Sequence, residues 1–66
     1  MWIVIHMVRS HSQAQTVHDR LAEEGFLVKL TPVYRAVSEE ENYFEIMVPE
    51  AEAAEARQVL LDQGLC

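Results

Sequence analysis

The chain opens on an apolar run, Trp2-Ile3-Val4-Ile5-His6-Met7-Val8, rich in β-branched residues and closed by the polar stretch Arg9-Ser10-His11-Ser12. Its length and composition predict a strand over residues 2–8. Ser10 precedes Gln13 by three, and Ser12 precedes Gln15 by three. Both spacings match the capping box, in which a hydroxyl and an amide satisfy the free N–H groups of a helix start. A helix is expected over residues 13–24, with Ala14, Val17, Leu21 and Ala22 as its less polar stripe and Gln15, Thr16, Asp19, Arg20, Glu23 and Glu24 on the other faces. Gly25 supplies the residue that a left-handed stop requires.

Phe26-Leu27-Val28-Lys29-Leu30-Thr31 reads as a second strand continuing through Pro32 to Val37. A proline donates no ladder hydrogen bond, so this strand is expected at a sheet edge. The charged stretch Ser38-Glu39-Glu40-Glu41-Asn42 reads as a solvated hairpin connection to a third strand, Tyr43 to Val48, with Phe44, Ile46 and Val48 on one face. Pro49 ends that strand. Glu50 to Gln63 is alanine-rich with acidic residues in its first turn, a favourable pattern for a helix whose stripe is Ala53, Ala56, Val59 and Leu60, stopped at Gly64.

The order β-α-β-β-α, with no repeat, linker or low-complexity segment, predicts one α+β domain over residues 1–66, a two-layer sandwich. Placing the third strand between the first two gives a three-stranded antiparallel sheet of order 1-3-2 under two helices, a ferredoxin-like split unit without its fourth strand. Strict alternation puts Ile3, Ile5, Met7, Val28, Leu30, Phe44, Ile46 and Val48 under the helices, joined by Phe26. The opposite face then carries Trp2, Val4, His6, Val8, Leu27, Lys29, Tyr43, Glu45 and Met47, too apolar to stand bare on a typical monomer. The first strand is also an apolar edge without proline, which invites pairing with another chain. A homo-oligomer is therefore expected, with Trp2, Val4, His6, Tyr43 and Met47 as the candidate interaction surface.

Length sharpens this expectation. A chain of 66 residues buries only about 60% of the surface its unfolded form exposes, so association would add stability where it is scarce. The single cysteine, Cys66, has no internal partner for a disulfide, which fits a reducing cytoplasm. Half of the residues are apolar and 24% charged, so disorder of the whole chain is not expected. The opening run has no basic flank and is too short for a membrane span or a signal peptide. Eleven acidic against five basic residues leave a formal charge of −6, which repels phosphate backbones and anionic lipid; neither a nucleic acid nor a membrane is an expected partner.

Catalytic and cofactor chemistry is not apparent in the residues. His6, His11, His18 and Cys66 match no zinc spacing, and the loop Arg9-Ser10-His11-Ser12 lacks the two cysteines that ferredoxin-like metal chaperones carry there. Ser10, His11 and Ser12 lie close together, but capping accounts for both serines and no acidic residue stands near to orient the histidine. Glu39-Glu40-Glu41 lacks the alternating oxygen ligands and turn glycine of a calcium loop. With Gly25 and Gly64 both read as helix stops, no phosphate cradle remains. Tyr43 and Phe44 are adjacent, so only one can face outward to stack on a base. The chain is accordingly expected to be no enzyme and to hold no cofactor or metal.

Met1-Trp2-Ile3-Val4-Ile5, Glu24-Gly25-Phe26-Leu27-Val28-Lys29 and Tyr43-Phe44-Glu45-Ile46-Met47-Val48-Pro49-Glu50 before an Ala-Glu-rich helix resemble a small prokaryotic family of unknown function, described as signal-transducing and grouped with PII-like ferredoxin folds. The resemblance spans residues 1–64 and rests on scaffold motifs. It implies the fold above and, by analogy of fold, a role in signalling. True PII proteins have a fourth strand and a long target-binding loop that this chain lacks, so their nucleotide and 2-oxoglutarate sites transfer to no residue here. Two functions follow as expectations. The first is a self-associating interaction or regulatory module with an as yet unidentified protein partner. The alternative is a sensor of an anionic metabolite, held by Arg9, Ser10 and Ser12 at the helix start or at an oligomer interface.

Overall fold

A computed structural model describes residues 1–65, so Cys66 lies outside the described residues. The elements are β1 (Trp2–Val8), α1 (His11–Glu23), β2 (Lys29–Pro32), β3 (Phe44–Pro49) and α2 (Ala53–Asp62), with short 3-10 turns at Glu39–Glu41 and Glu50–Glu52. The sheet has three strands in the order β1-β3-β2, antiparallel at both joints. This is the expected α+β arrangement. Ile46 and Val48 on β3, Leu21 on α1 and Ala56 and Leu60 on α2 are almost wholly shielded and make one core between the sheet and the two helices.

Local chemistry explains where each helix starts and stops. Ser10 is extended at φ −143° and ψ 157°, and its Oγ accepts the Gln13 N–H at 3.2 Å. Gln13 Oε1 in turn accepts the Arg9 N–H at 3.3 Å, one residue before the cap. Of the two capping spacings in the sequence, the one from Ser10 is used, and α1 begins at His11, earlier than the expected residue 13. Ser10→Ala is expected to cost about 1 kcal/mol and lower the melting temperature by roughly 5 °C, whereas Ser12→Ala should change it by under about 3 °C. Thermal melts followed by circular dichroism separate the two. Gly25 at φ 95° and Gly64 at φ 65° are the two left-handed residues among those described. Beyond each, an N–H reaches back to the last buried leucine, Phe26 to Leu21 C=O at 3.1 Å and Leu65 to Leu60 C=O at 2.8 Å, which closes both helices in the same way.

Three expectations are corrected. Ala22 is exposed and does not belong to the buried stripe of α1, which is Ala14, Val17 and Leu21. The second strand is only four residues long. Before it, Phe26 and Val28 pack on the core, but the Leu27 N–H donates to Glu52 Oε1 at 3.0 Å and not to a ladder. Leu27 is therefore exposed on an irregular segment and is not part of the sheet face. After Pro32, the Val33 N–H still reaches Tyr43 C=O at 3.0 Å. The chain then turns around the side chain of Asn42, which is 1% exposed. Asn42 Oδ1 accepts the Tyr34 N–H at 3.0 Å. Its Nδ2 donates to Tyr34 C=O at 2.6 Å and to Val37 C=O at 3.3 Å. An amide that satisfies three backbone groups competes with a ladder, so the strand does not continue to Val37.

The third correction concerns β1. Val4 pairs with Met47 and His6 pairs with Ile46, so Ile5 is an extra residue opposite no partner, a β-bulge. Pairing beyond it is shifted by one, which reverses the faces. His6 stands opposite buried Ile46 on the helix side, Met7 opposite Glu45 on the uncovered side, and Val8 opposite buried Phe44. Met7 is consequently 56% exposed and Val8 only 8% exposed, the opposite of what strict alternation predicts.

Candidate interaction face of the sheet

Both helices pack on one side of the sheet. On the other, register places Trp2, Val4 and Met7 of β1, Glu45 and Met47 of β3, and Lys29 and Thr31 of β2 together. Tyr43, opposite Val33 by its carbonyl bond, extends the row. Trp2, Val4, Met7 and Tyr43 are all exposed.

Of the five residues expected to form the interaction surface, four are gathered here: Trp2, Val4, Tyr43 and Met47. His6 is not, because the bulge turns it to the helix side. Met7 takes its place, and alternation alone could not have found it. The face is ordered by side-chain contacts across strands. Lys29 Nζ lies 5.5 Å from the centre of the Trp2 ring, a cation–π contact spanning β3. Thr31 Oγ1 donates to Met47 Sδ at 3.4 Å. Tyr34 and Tyr43 rings lie 6.2 Å apart at 53°, so the loop held by Asn42 supports one end of the face.

Charge on this face is balanced, one lysine against one glutamate, although the whole chain carries −6. The excess acid lies elsewhere, at the Glu39–Glu41 turn and on the helices. A second copy would meet least repulsion on the uncovered sheet face.

The other candidate groups are dispersed. Ser10 and Ser12 hydroxyls are 3.3 Å apart, and Ser10 is engaged in the helix cap. Arg9 is exposed and contributes its N–H to Gln13. A recess of about 290 Å³ beside this helix start is lined by Ser12, Gln13, Thr16, Val17, Gly64 and Leu65, and Arg9 is not among its walls. The His11 ring packs edge-on against Phe44 at 5.4 Å. His18 Nδ1 lies 3.1 Å from Asp19 Oδ1. That hydrogen bond, and a second from Gln15 at 2.9 Å, hold the Asp19 carboxyl below its ordinary range. Among the described residues no three histidine, cysteine or acidic side chains are grouped as a metal site.

No helix of the described residues is long and apolar enough to cross a membrane. Comparison of the chain with protein-family models, with curated proteins and with solved structures finds no match.

Proposed function

We propose that the chain is a non-catalytic interaction module that self-associates through the uncovered face of its sheet. The observation that carries this reading is the grouping of exposed Trp2, Val4, Met7 and Tyr43 on a face whose two charges cancel. Tryptophan and tyrosine supply large apolar area with few rotors, which makes them efficient contact residues. Edge pairing through β1 is the less favourable route. The bulge at Ile5 interrupts the regular strand that an added ladder needs.

Size sets the expected strength. Three strands about 4.8 Å apart and about six residues long offer roughly 300 Å² of sheet plane, less than the ~800 Å² per partner of a standard interface. A weak, reversible association follows, suited to regulation by concentration or by a competing partner. A signalling context rests on the family resemblance alone.

Light scattering over a concentration series, from about 1 to 500 μM, tests the reading. The mass is expected to rise from the 7.6 kDa of one chain toward a multiple of it. Trp2→Ala is expected to weaken the association by about 30-fold, as loss of an interface anchor does. A single-chain mass at every concentration would sink the proposal, and so would an association that Trp2→Ala and Val4→Glu both leave untouched.

A further inference from the structure

Both charges of the uncovered sheet face lack an ion-pair partner among the described residues. Lys29 stands opposite Met47, and Glu45 opposite Thr31, two residues further along the joint of β2 and β3. They are near enough to meet, yet the Lys29 ammonium is held 5.5 Å from the centre of the Trp2 ring instead. Trp2 is on β1 and Lys29 on β2, the two edges of the sheet. A contact between them therefore lies over β3, in the middle of the face and not at its rim. Whatever covers the exposed Trp2 side chain also takes this ammonium out of water. A charge buried without a partner works against association, so the covering surface must bring a carboxylate to it.

On the reading that the face self-associates, we infer that its partner is one further copy related by a two-fold axis, with Glu45 of each copy paired to Lys29 of the other. In a two-fold interface every contact between unlike residues is made twice, so two such pairs satisfy all four charges. An axis running across the strands near Met47 stacks β3 on β3 and exchanges the ends of the strand. It sets Glu45 of the second copy against the ammonium over β3. It also keeps the strands of the two sheets within about 30° of one another, the aligned mode of sheet packing. Sheets packed in this way lie about 10 Å apart, a gap that a lysine from one side and a glutamate from the other span together. The same axis brings Trp2 toward Met7 of the second copy, a favourable sulfur–aromatic pairing. One partner uses the whole face, so assembly stops at two chains.

Two charge reversals, alone and mixed, test the pairing. Lys29→Glu leaves two glutamates on the face and Glu45→Lys leaves two lysines. Each variant alone is expected to associate about 30-fold or more weakly than wild type, by light scattering over the same concentration series. Mixed in equal amounts they should associate again, to a limit of two chains, because each face then meets its complement. Glu55→Lys makes the same change in net charge on an exposed position of α2 and should stay within about threefold of wild type. Zero-length carbodiimide coupling of mixed ¹⁴N- and ¹⁵N-labelled wild type, read by peptide mass spectrometry, is expected to join Lys29 to Glu45 across unlike chains. Single reversals that associate like wild type, a mixture that stays weak, or Lys29 coupled across chains only to other acids would each overturn the pairing. A mass that passes two chains would overturn the two-fold dimer. A wild type that stays a single chain at every concentration would instead remove self-association itself, and the pairing with it.

Discussion

Ile46→Ala is expected to leave the chain largely unfolded at about 25 °C. Ile46 is 0% exposed and sits at the middle of the central strand, opposite His6 on one neighbour and Leu30 on the other. Removing three carbons there loses their burial and leaves a void between the sheet and both helices, about 3–4 kcal/mol together. A domain of this size holds only about 3–5 kcal/mol in total, so one substitution approaches the entire margin. Ile46→Val removes one methylene and should cost about 1 kcal/mol, remaining folded. Urea unfolding of the two variants and wild type, at matched protein concentration so that association contributes equally, measures the difference. A midpoint for Ile46→Ala close to that of Ile46→Val would show that the core lies elsewhere.

Asn42→Ala is expected to lower stability by about 2–3 kcal/mol, a melting-temperature loss of roughly 10–20 °C. The change strips partners from the Tyr34 N–H, the Tyr34 C=O and the Val37 C=O at once. The loop is partly open to water, which replaces some of these bonds and keeps the cost below that of three fully buried orphans. Asn42→Asp keeps the acceptor for the Tyr34 N–H but replaces the donors with lone pairs facing two carbonyls, and should be at least as harmful at neutral pH. Substituting exposed Glu40 in the same turn should change stability by under about 0.5 kcal/mol. If Asn42→Ala melts with wild type, the loop is held by something other than this amide. The variant also reads on function, since the loop supports the Tyr34–Tyr43 pair at the end of the sheet face. Association should weaken in Asn42→Ala even where the core stays folded.

Much of this was legible in the residues, and for local reasons. Helix stops at Gly25 and Gly64 follow from a backbone conformation that glycine adopts without strain. The α1 cap was narrowed to two serines, because the box depends on spacing alone, but choosing Ser10 over Ser12 required knowing where the chain leaves β1. The 1-3-2 order followed from placing the third strand, hairpin partner of the second, between it and the first, as in a ferredoxin-like split unit. Of the five residues expected to form an interaction surface, Trp2, Val4, Tyr43 and Met47 lie on the uncovered face where alternation places them, since the period of two holds along β3 and up to Val4.

What the residues could not decide were the points where two local choices cost nearly the same. From Trp2 to Val8 every position but His6 is apolar, so period two cannot pin the face of each residue. Packing decides it. The bulge lets Val8 enter the core beside Phe44, sends Met7 outward and turns His6 to the helix side. Asn42 likewise looked like one more polar residue in an acidic loop, and only the closed hairpin brings Tyr34 and Val37 within reach of its amide. Sequence alone determined the elements, their order and the apolar character of the uncovered face, all consequences of contacts short along the chain or of periodicity. Tertiary structure decided the register of β1 and the end of β2, because each depends on groups far apart in sequence competing for the same hydrogen bonds and the same buried volume.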